Sequence, residues 1–76
     1  MYTNEMKRAF RSIPAPKNFT VQIIDHDNFL TVKAIESQFM RLVDDEKREA
    51  VEYMINVKKA LEMNGAIVLL VREAKS

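Results

Sequence analysis

The sequence predicts a small α+β domain in the order α-β-β-α(α)-β, with a three-stranded sheet packed on a long helical segment. Three observations predict this class. Apolar and polar residues alternate over 19–23 and again over 29–34, which is the period of half-buried strands. Apolar residues then recur every three or four positions over 35–64, the period of a helix. A last apolar run, 66–71, has the length and β-branched content of a strand.

Length and composition indicate one domain that follows no classical export route. The chain has 76 residues, 47% of them apolar, and no cysteine. Disulfides, thiolate nucleophiles and cysteine metal sites are therefore excluded, and a reducing compartment is allowed. The first residues are polar, and the longest apolar run is far shorter than the ~20 residues of a membrane-spanning helix. We therefore expect a cytoplasmic protein that does not associate with membranes.

The N-terminal segment, 1–17, is predicted to be a helix over 3–12 followed by a proline-containing linker. Thr3 or Asn4 can cap this helix, and Pro14 ends it. The apolar residues of the segment form one stripe with spacings of four, four and three, namely Tyr2, Met6, Phe10 and Ile13. We expect the helix either to cover the second face of the sheet, near Ile24 and Phe29, or to project toward a partner.

The core, 18–72, should begin with a β-hairpin whose turn lies at His26-Asp27. This turn would place Val21 opposite Val32 on the face that packs against the helix. An aspartate at Val21 should then cost several kcal/mol, roughly the penalty for an unpaired buried charge. The same face is predicted to carry Phe19, Val21, Ile23, Leu30 and Val32.

The helical segment 35–64 is too long to be one straight helix on a small sheet. About 30 helical residues would span ~45 Å, whereas a seven-residue strand spans ~23 Å. A break is therefore expected near Asp44-Asp45, where an aspartate could cap a second helix. Asn64-Gly65 supplies a left-handed helix end, and 66–71 is predicted to be a strand buried on both faces. The tail, 73–76, is expected to be loose.

Neither cluster of titratable residues favours catalysis. Asp25-His26-Asp27 offers ligand types that zinc accepts, but three consecutive turn residues cannot easily converge on one ion, and the chain has no second histidine. These residue types are also common in turns. The acidic residues of 44–52 alternate with basic ones, as on a salt-bridged helix surface. We therefore expect no enzymatic activity, no catalytic residue, no cofactor and no metal.

The function that remains is macromolecular binding. We expect a protein-binding module that acts stoichiometrically, as an adaptor, a small subunit, or an inhibitor or regulator of a larger machine. The alternative is a nucleic-acid-binding regulator that uses the basic N-terminal segment, although the net charge is only +1. The candidate partner-binding residues lie in two groups, which are Tyr2, Met6, Lys7, Arg8, Phe10 and Arg11 in the first and Ile67, Leu69 and Val71 in the second.

The second group follows from the topology. A tight hairpin keeps the first two strands adjacent, so the third strand must lie at an edge of the sheet. An uncovered apolar edge invites pairing with another chain, because its backbone N–H and C=O groups lack partners. We therefore predict that the edge of 66–71 forms a homodimer or adds a strand to a protein partner.

Overall fold

The computed structural model describes residues 1–72 and shows a three-stranded mixed sheet with helices, which confirms the predicted α+β class. The strand order is β1-β2-β3, with β1 antiparallel and β3 parallel to the central strand β2. The predicted loose tail, 73–76, lies outside the described residues. No helix within 1–72 is long and apolar enough to cross a membrane. The elements are α1 Asn4–Ser12, β1 Val21–Asp25, β2 Leu30–Ala34, α2 Glu36–Met40, α3 Asp44–Met63 and β3 Val68–Arg72.

Helix α1 begins at the predicted cap but packs elsewhere than on the second sheet face. Thr3 Oγ1 accepts a hydrogen bond from the Met6 N–H at 3.2 Å, which satisfies one of the free donors of the first turn. Met6 is buried, and α1 lies against α3. The expectation that α1 covers the sheet near Ile24 and Phe29 is therefore wrong, because its apolar stripe packs into the same core as α3.

The predicted break in the long helical segment is confirmed, although its cap differs from the expected one. The chain leaves the helical conformation at 41–43 and re-enters it in α3. The N-cap is Val43, whose N–H donates to Glu46 Oε1 at 3.0 Å. Asp44 and Asp45 lie inside the first turn, where their charges are favourable near the helix N-terminus. Glu46 therefore caps the helix through the N–H of the N-cap residue, whereas a capping aspartate would have accepted from an N–H inside the first turn.

The hairpin pairs two residues away from the predicted register. Val21 lies opposite Ala34, and Ile23 lies opposite Val32. The turn centres on Asp27-Asn28, because Asp27 adopts a left-handed φ of 71° and its N–H donates to Asp25 Oδ1 at 2.8 Å. A shift of two residues keeps every side chain on its predicted face, since strand side chains alternate with period two. The prediction of which residues face the core is therefore correct, although the predicted pairing is wrong.

The end of α3 fixes where β3 begins. The Gly65 N–H donates to the Glu62 carbonyl, and the Ala66 N–H donates to the Leu61 carbonyl, which together form a Schellman motif. Gly65 has a φ of 95°, which side chains other than glycine rarely adopt. The motif turns the chain directly from α3 into β3. Helix α3 therefore forms the crossover between the parallel strands β2 and β3.

The core lies between one face of the sheet and the helices. Phe19 is almost fully buried and makes edge-to-face contacts with Phe39 and Tyr53, with ring centroids 6.3 and 6.4 Å away. It precedes β1 and thereby joins the hairpin to both α2 and α3. The remaining fully buried large side chains are Leu30, Val32, Val57 and Leu61.

Candidate protein-binding surface

Strand β3 is the least buried apolar segment of the sheet. Only Val68 at its start is buried. The neighbouring apolar side chains are between 38% and 66% exposed, namely Ile67, Leu69, Leu70 and Val71. The prediction of a strand buried on both faces is therefore wrong. The reason is topological, because β3 has a neighbouring strand on one side only and no described helix covers its outer face.

The hydrogen-bond pattern identifies which backbone groups of β3 face outward. The Leu30 N–H donates to the Ile67 carbonyl at 2.8 Å, and Leu30 lies opposite Val68. In a parallel ladder, alternate residues of a strand point their N–H and C=O groups to the neighbour. The groups of Leu69 and Val71 therefore point to β2. The outward-facing groups belong to Val68, Leu70 and Arg72, and no described strand pairs with them.

The helix layer beside this edge also exposes apolar side chains. The Lys47 ammonium and the Arg72 guanidinium both lie over the Phe39 ring, at 5.8 and 5.1 Å from its centroid. This shared ring places the side of α3 that carries Lys47 next to β3. Val51 and Ile55 follow Lys47 by one and two helical turns, so they continue along the same side. Both are exposed, so this side of α3 also presents apolar side chains.

These residues together form what we call the β3 edge surface. Its strand part comprises two faces, because side chains alternate along β3. Leu70 shares the helix-packed face with Val68, whereas Leu69 and Val71 lie on the outer face. Within β3 itself, the single charged residue is Arg72, which pairs with Glu36 at 3.5 Å. The surface comprises Val51, Ile55, Ile67, Leu69, Leu70 and Val71.

The apolar members of the first candidate group contribute to the core. Met6 is buried, and Tyr2 and Phe10 pack against the core cluster. Burial raises the pKa of the Tyr2 hydroxyl, although the nearby charge of Arg11 opposes this shift. The Lys7 ammonium lies 5.6 Å from the centre of the Tyr2 ring. The aromatic rings of Tyr2 and Phe10 therefore pack within the fold.

The basic members of that group remain on the surface. Arg8 and Arg11 are exposed, whereas Lys7 is half-buried. They lie on α1, and α1 packs against α3. The structure thus presents the two candidate groups as separate surfaces, a basic one on α1 and an apolar one at the β3 edge.

Asp25 and His26, which carry ligand types that zinc accepts, use their side chains in contacts within the fold. His26 stacks on Phe29 with ring centroids 4.4 Å apart, and its Nε2 lies 2.9 Å from Thr31 Oγ1. The Asp25 carboxylate accepts hydrogen bonds from the Met1 ammonium at 2.8 Å and from the Tyr2 N–H at 3.1 Å. Within residues 1–72, no three histidine, aspartate or glutamate side chains converge as metal ligands would.

Sequence reasoning identified Ile67, Leu69 and Val71 but missed three members of the β3 edge surface. Leu70 was expected to be buried, and it is exposed because the helix layer ends beside the edge strand. Val51 and Ile55 lie four residues apart and one position beyond the buried Ala50 and Met54. That spacing widens the apolar stripe of α3 and is the signal that could have identified them.

Comparisons with protein-family models, with curated proteins and with solved structures find no match to this chain.

Proposed function

We propose that this protein is a non-enzymatic, cytoplasmic protein-binding module that acts stoichiometrically, as an adaptor, a small subunit or a regulator, and binds through the β3 edge surface. One observation carries the proposal. The edge strand of the sheet combines outward-facing backbone groups at Val68, Leu70 and Arg72 with apolar side chains that are exposed on both sides of it. Natural edge strands are usually shortened, charged, bulged or covered, because bare ones pair with other chains.

The physical chemistry of the surface suits strand addition. A partner strand would receive backbone hydrogen bonds, each contributing about 0.5–1.5 kcal/mol. Its side chains would meet Leu69 and Val71 on the outer face, and apolar burial contributes about 25 cal/mol per Å². Backbone pairing supplies affinity in this mode, while the flanking side chains supply specificity.

The basic surface of α1 gives little support to the alternative function, nucleic-acid binding. Binding of single-stranded nucleic acid commonly uses aromatic rings on which bases stack. In α1 and its approach, Tyr2 and Phe10 pack on the core instead of presenting free ring faces. The basic side chains without such rings are typical of a solvated helix face.

Photo-crosslinking in the producing cells tests the proposal. A photoreactive phenylalanine analogue replaces Leu69 in one variant and Asn56 in a control, since Asn56 is exposed on the side of α3 that faces the linker at Ile13 and Pro14. We expect a discrete protein adduct from position 69 that is absent from position 56 and is lost when Leu70→Lys is added. Equal or absent crosslinking at the two positions would contradict the proposal, and an adduct to nucleic acid would favour the alternative function.

A further inference from the structure

We infer that the partner of the β3 edge surface is a second copy of this chain, paired antiparallel through β3 about a two-fold axis at Leu70. This inference rests on the proposed function and specifies its partner. The assembly would join two three-stranded sheets into one six-stranded sheet with the two β3 strands at its centre. Both exposed β3 edges would then be paired, as closed two-fold symmetry requires.

The backbone of β3 is self-complementary in one register. Hydrogen-bonded pairs in an antiparallel ladder form between residues whose N–H and C=O groups both face the partner. The outward-facing residues of β3 are Val68, Leu70 and Arg72, which are spaced symmetrically about Leu70. Antiparallel pairing centred on Leu70 therefore places Leu70 opposite its own copy and Val68 opposite Arg72 of the copy. Every outward-facing N–H and C=O group of β3 then has a partner in the second copy.

The outer face of the sheet is also self-complementary in this register. Leu69 of one copy lies opposite Val71 of the other, and the two-fold axis repeats the pair. These residues form non-hydrogen-bonded pairs, in which side chains approach most closely. Two exposed apolar side chains from each copy would thus close over one another. No charged residue of the strand enters this cluster, since Arg72 lies on the opposite face.

The helix layer decides between a second copy and an extended peptide. A peptide strand beside β3 would cover the edge and reach Leu69 and Val71, but it would leave Val51 and Ile55 exposed. Covering those two side chains requires a partner that brings a helix alongside its strand. A second copy brings α3 in the matching position, because α3 packs on the same β3. Its own Val51 and Ile55 would approach across the axis.

Sedimentation velocity over a wide concentration range tests the inference on the intact chain. We expect a reversible monomer–dimer equilibrium for the native protein. Leu70→Lys should abolish the dimer, because it places two ammonium groups opposite each other at the axis. Met63→Lys, an equally apolar-to-charged change at an exposed residue of α3 outside the surface, should leave the dimer unchanged. A native protein that stays monomeric throughout overturns the inference.

Engineered cysteines test the register, because the chain has none of its own. Residues at the axis face their own copies at about 5.5 Å between Cα atoms, within the range for a disulfide. Leu70→Cys should therefore crosslink to itself under mild oxidation, whereas Leu69→Cys should crosslink much more slowly. The reverse order would overturn the register. If position 69 instead photo-crosslinks only to a different protein, the inference fails while the proposed function stands.

Discussion

The two edge strands of this sheet have the same length but opposite surfaces. In β1, Val21 and Ile23 are half-buried against the core, and Asp25 at its end accepts hydrogen bonds from the Met1 ammonium and the Tyr2 N–H. In β3, Leu69, Leu70 and Val71 are exposed. The first edge is polar and attached to the N-terminal segment, while the second is apolar and bare.

The difference shows which side of the sheet contributes more to the stability of the fold. The segment before β1 is held in the core, where Phe19 meets rings from both α2 and α3. On the β3 side α3 packs on the strand, yet apolar side chains of both elements remain exposed. If both edges served only the fold, charge or cover would be expected on each. The asymmetry supports a binding role for β3.

The largest expected effect is a difference in stability between two variants, each of which truncates one apolar residue on one side of the sheet. Phe19→Ala should destabilise the monomer by about 3–5 kcal/mol, because it removes a fully buried ring. Leu69→Ala should cost less than about 1 kcal/mol, because that side chain is half exposed before any partner binds. Urea denaturation at high dilution measures both. Similar losses would mean that β3 belongs to the core as fully as the β1 side.

A second comparison places the same charge on each edge. Val21→Asp should cost about 2–3 kcal/mol, since its side chain packs on the core opposite Ala34. Val71→Asp should cost about 1 kcal/mol in the monomer, mainly through reduced strand propensity. Thermal melts of dilute samples give the two values. A melting temperature for Val21→Asp close to that of the native protein would contradict the position assigned to β1.

The connection into β3 should be sensitive to a smaller change. Gly65→Ala should destabilise the protein by about 1–2 kcal/mol through left-handed strain, since φ is 95° and an added Cβ meets no atom within 4 Å. Gly65→Asn should recover part of the loss, because asparagine tolerates this conformation better. Denaturant midpoints for the three proteins provide the measurement. Equal stability of the alanine and asparagine variants would contradict a strain-based explanation.

The smallest expected effect is on the pH dependence of stability, through Asp25 at the end of β1. The hydrogen bond from the Met1 ammonium, followed by that from the Asp27 N–H, lowers the pKa of Asp25 below its usual value. The ionised carboxylate therefore stabilises the fold at neutral pH, and this contribution is lost as the pH falls through the lowered pKa. Asp25→Asn should remove that part of the acid dependence. An NMR titration that finds an ordinary pKa for Asp25 would contradict the contact.

Several parts of the fold could be predicted because local patterns specify them. Alternation marked the faces of β1 and β2, and the length of 35–64 required a break in the helix. Gly65 marked the end of α3 because few other residues adopt its conformation. Each of these features depends on residues close together in the sequence.

The features that were missed depend on tertiary placement. Asp27-Asn28 and His26-Asp27 are equally plausible turns by composition, and the side chain of Asp25 selects the first. The apolar run 66–71 reads as buried, whereas its exposure follows from the place of β3 at the edge. The spacing of Val51 and Ile55 marks a wider apolar stripe on α3, but they join the candidate surface because α3 crosses back beside that strand. That placement depends on long-range packing, which the local pattern does not specify.

Amide hydrogen exchange at the β3 edge tests the central claim most directly. The N–H groups of Val68, Leu70 and Arg72 face away from β2, so they gain hydrogen-bond partners only if another strand pairs there. We expect these three amides to exchange slowly in concentrated samples and to become fast on dilution, while the Leu69 and Val71 amides stay protected by β2. Fast exchange of all three outward amides at every concentration would contradict pairing of this edge with a second copy.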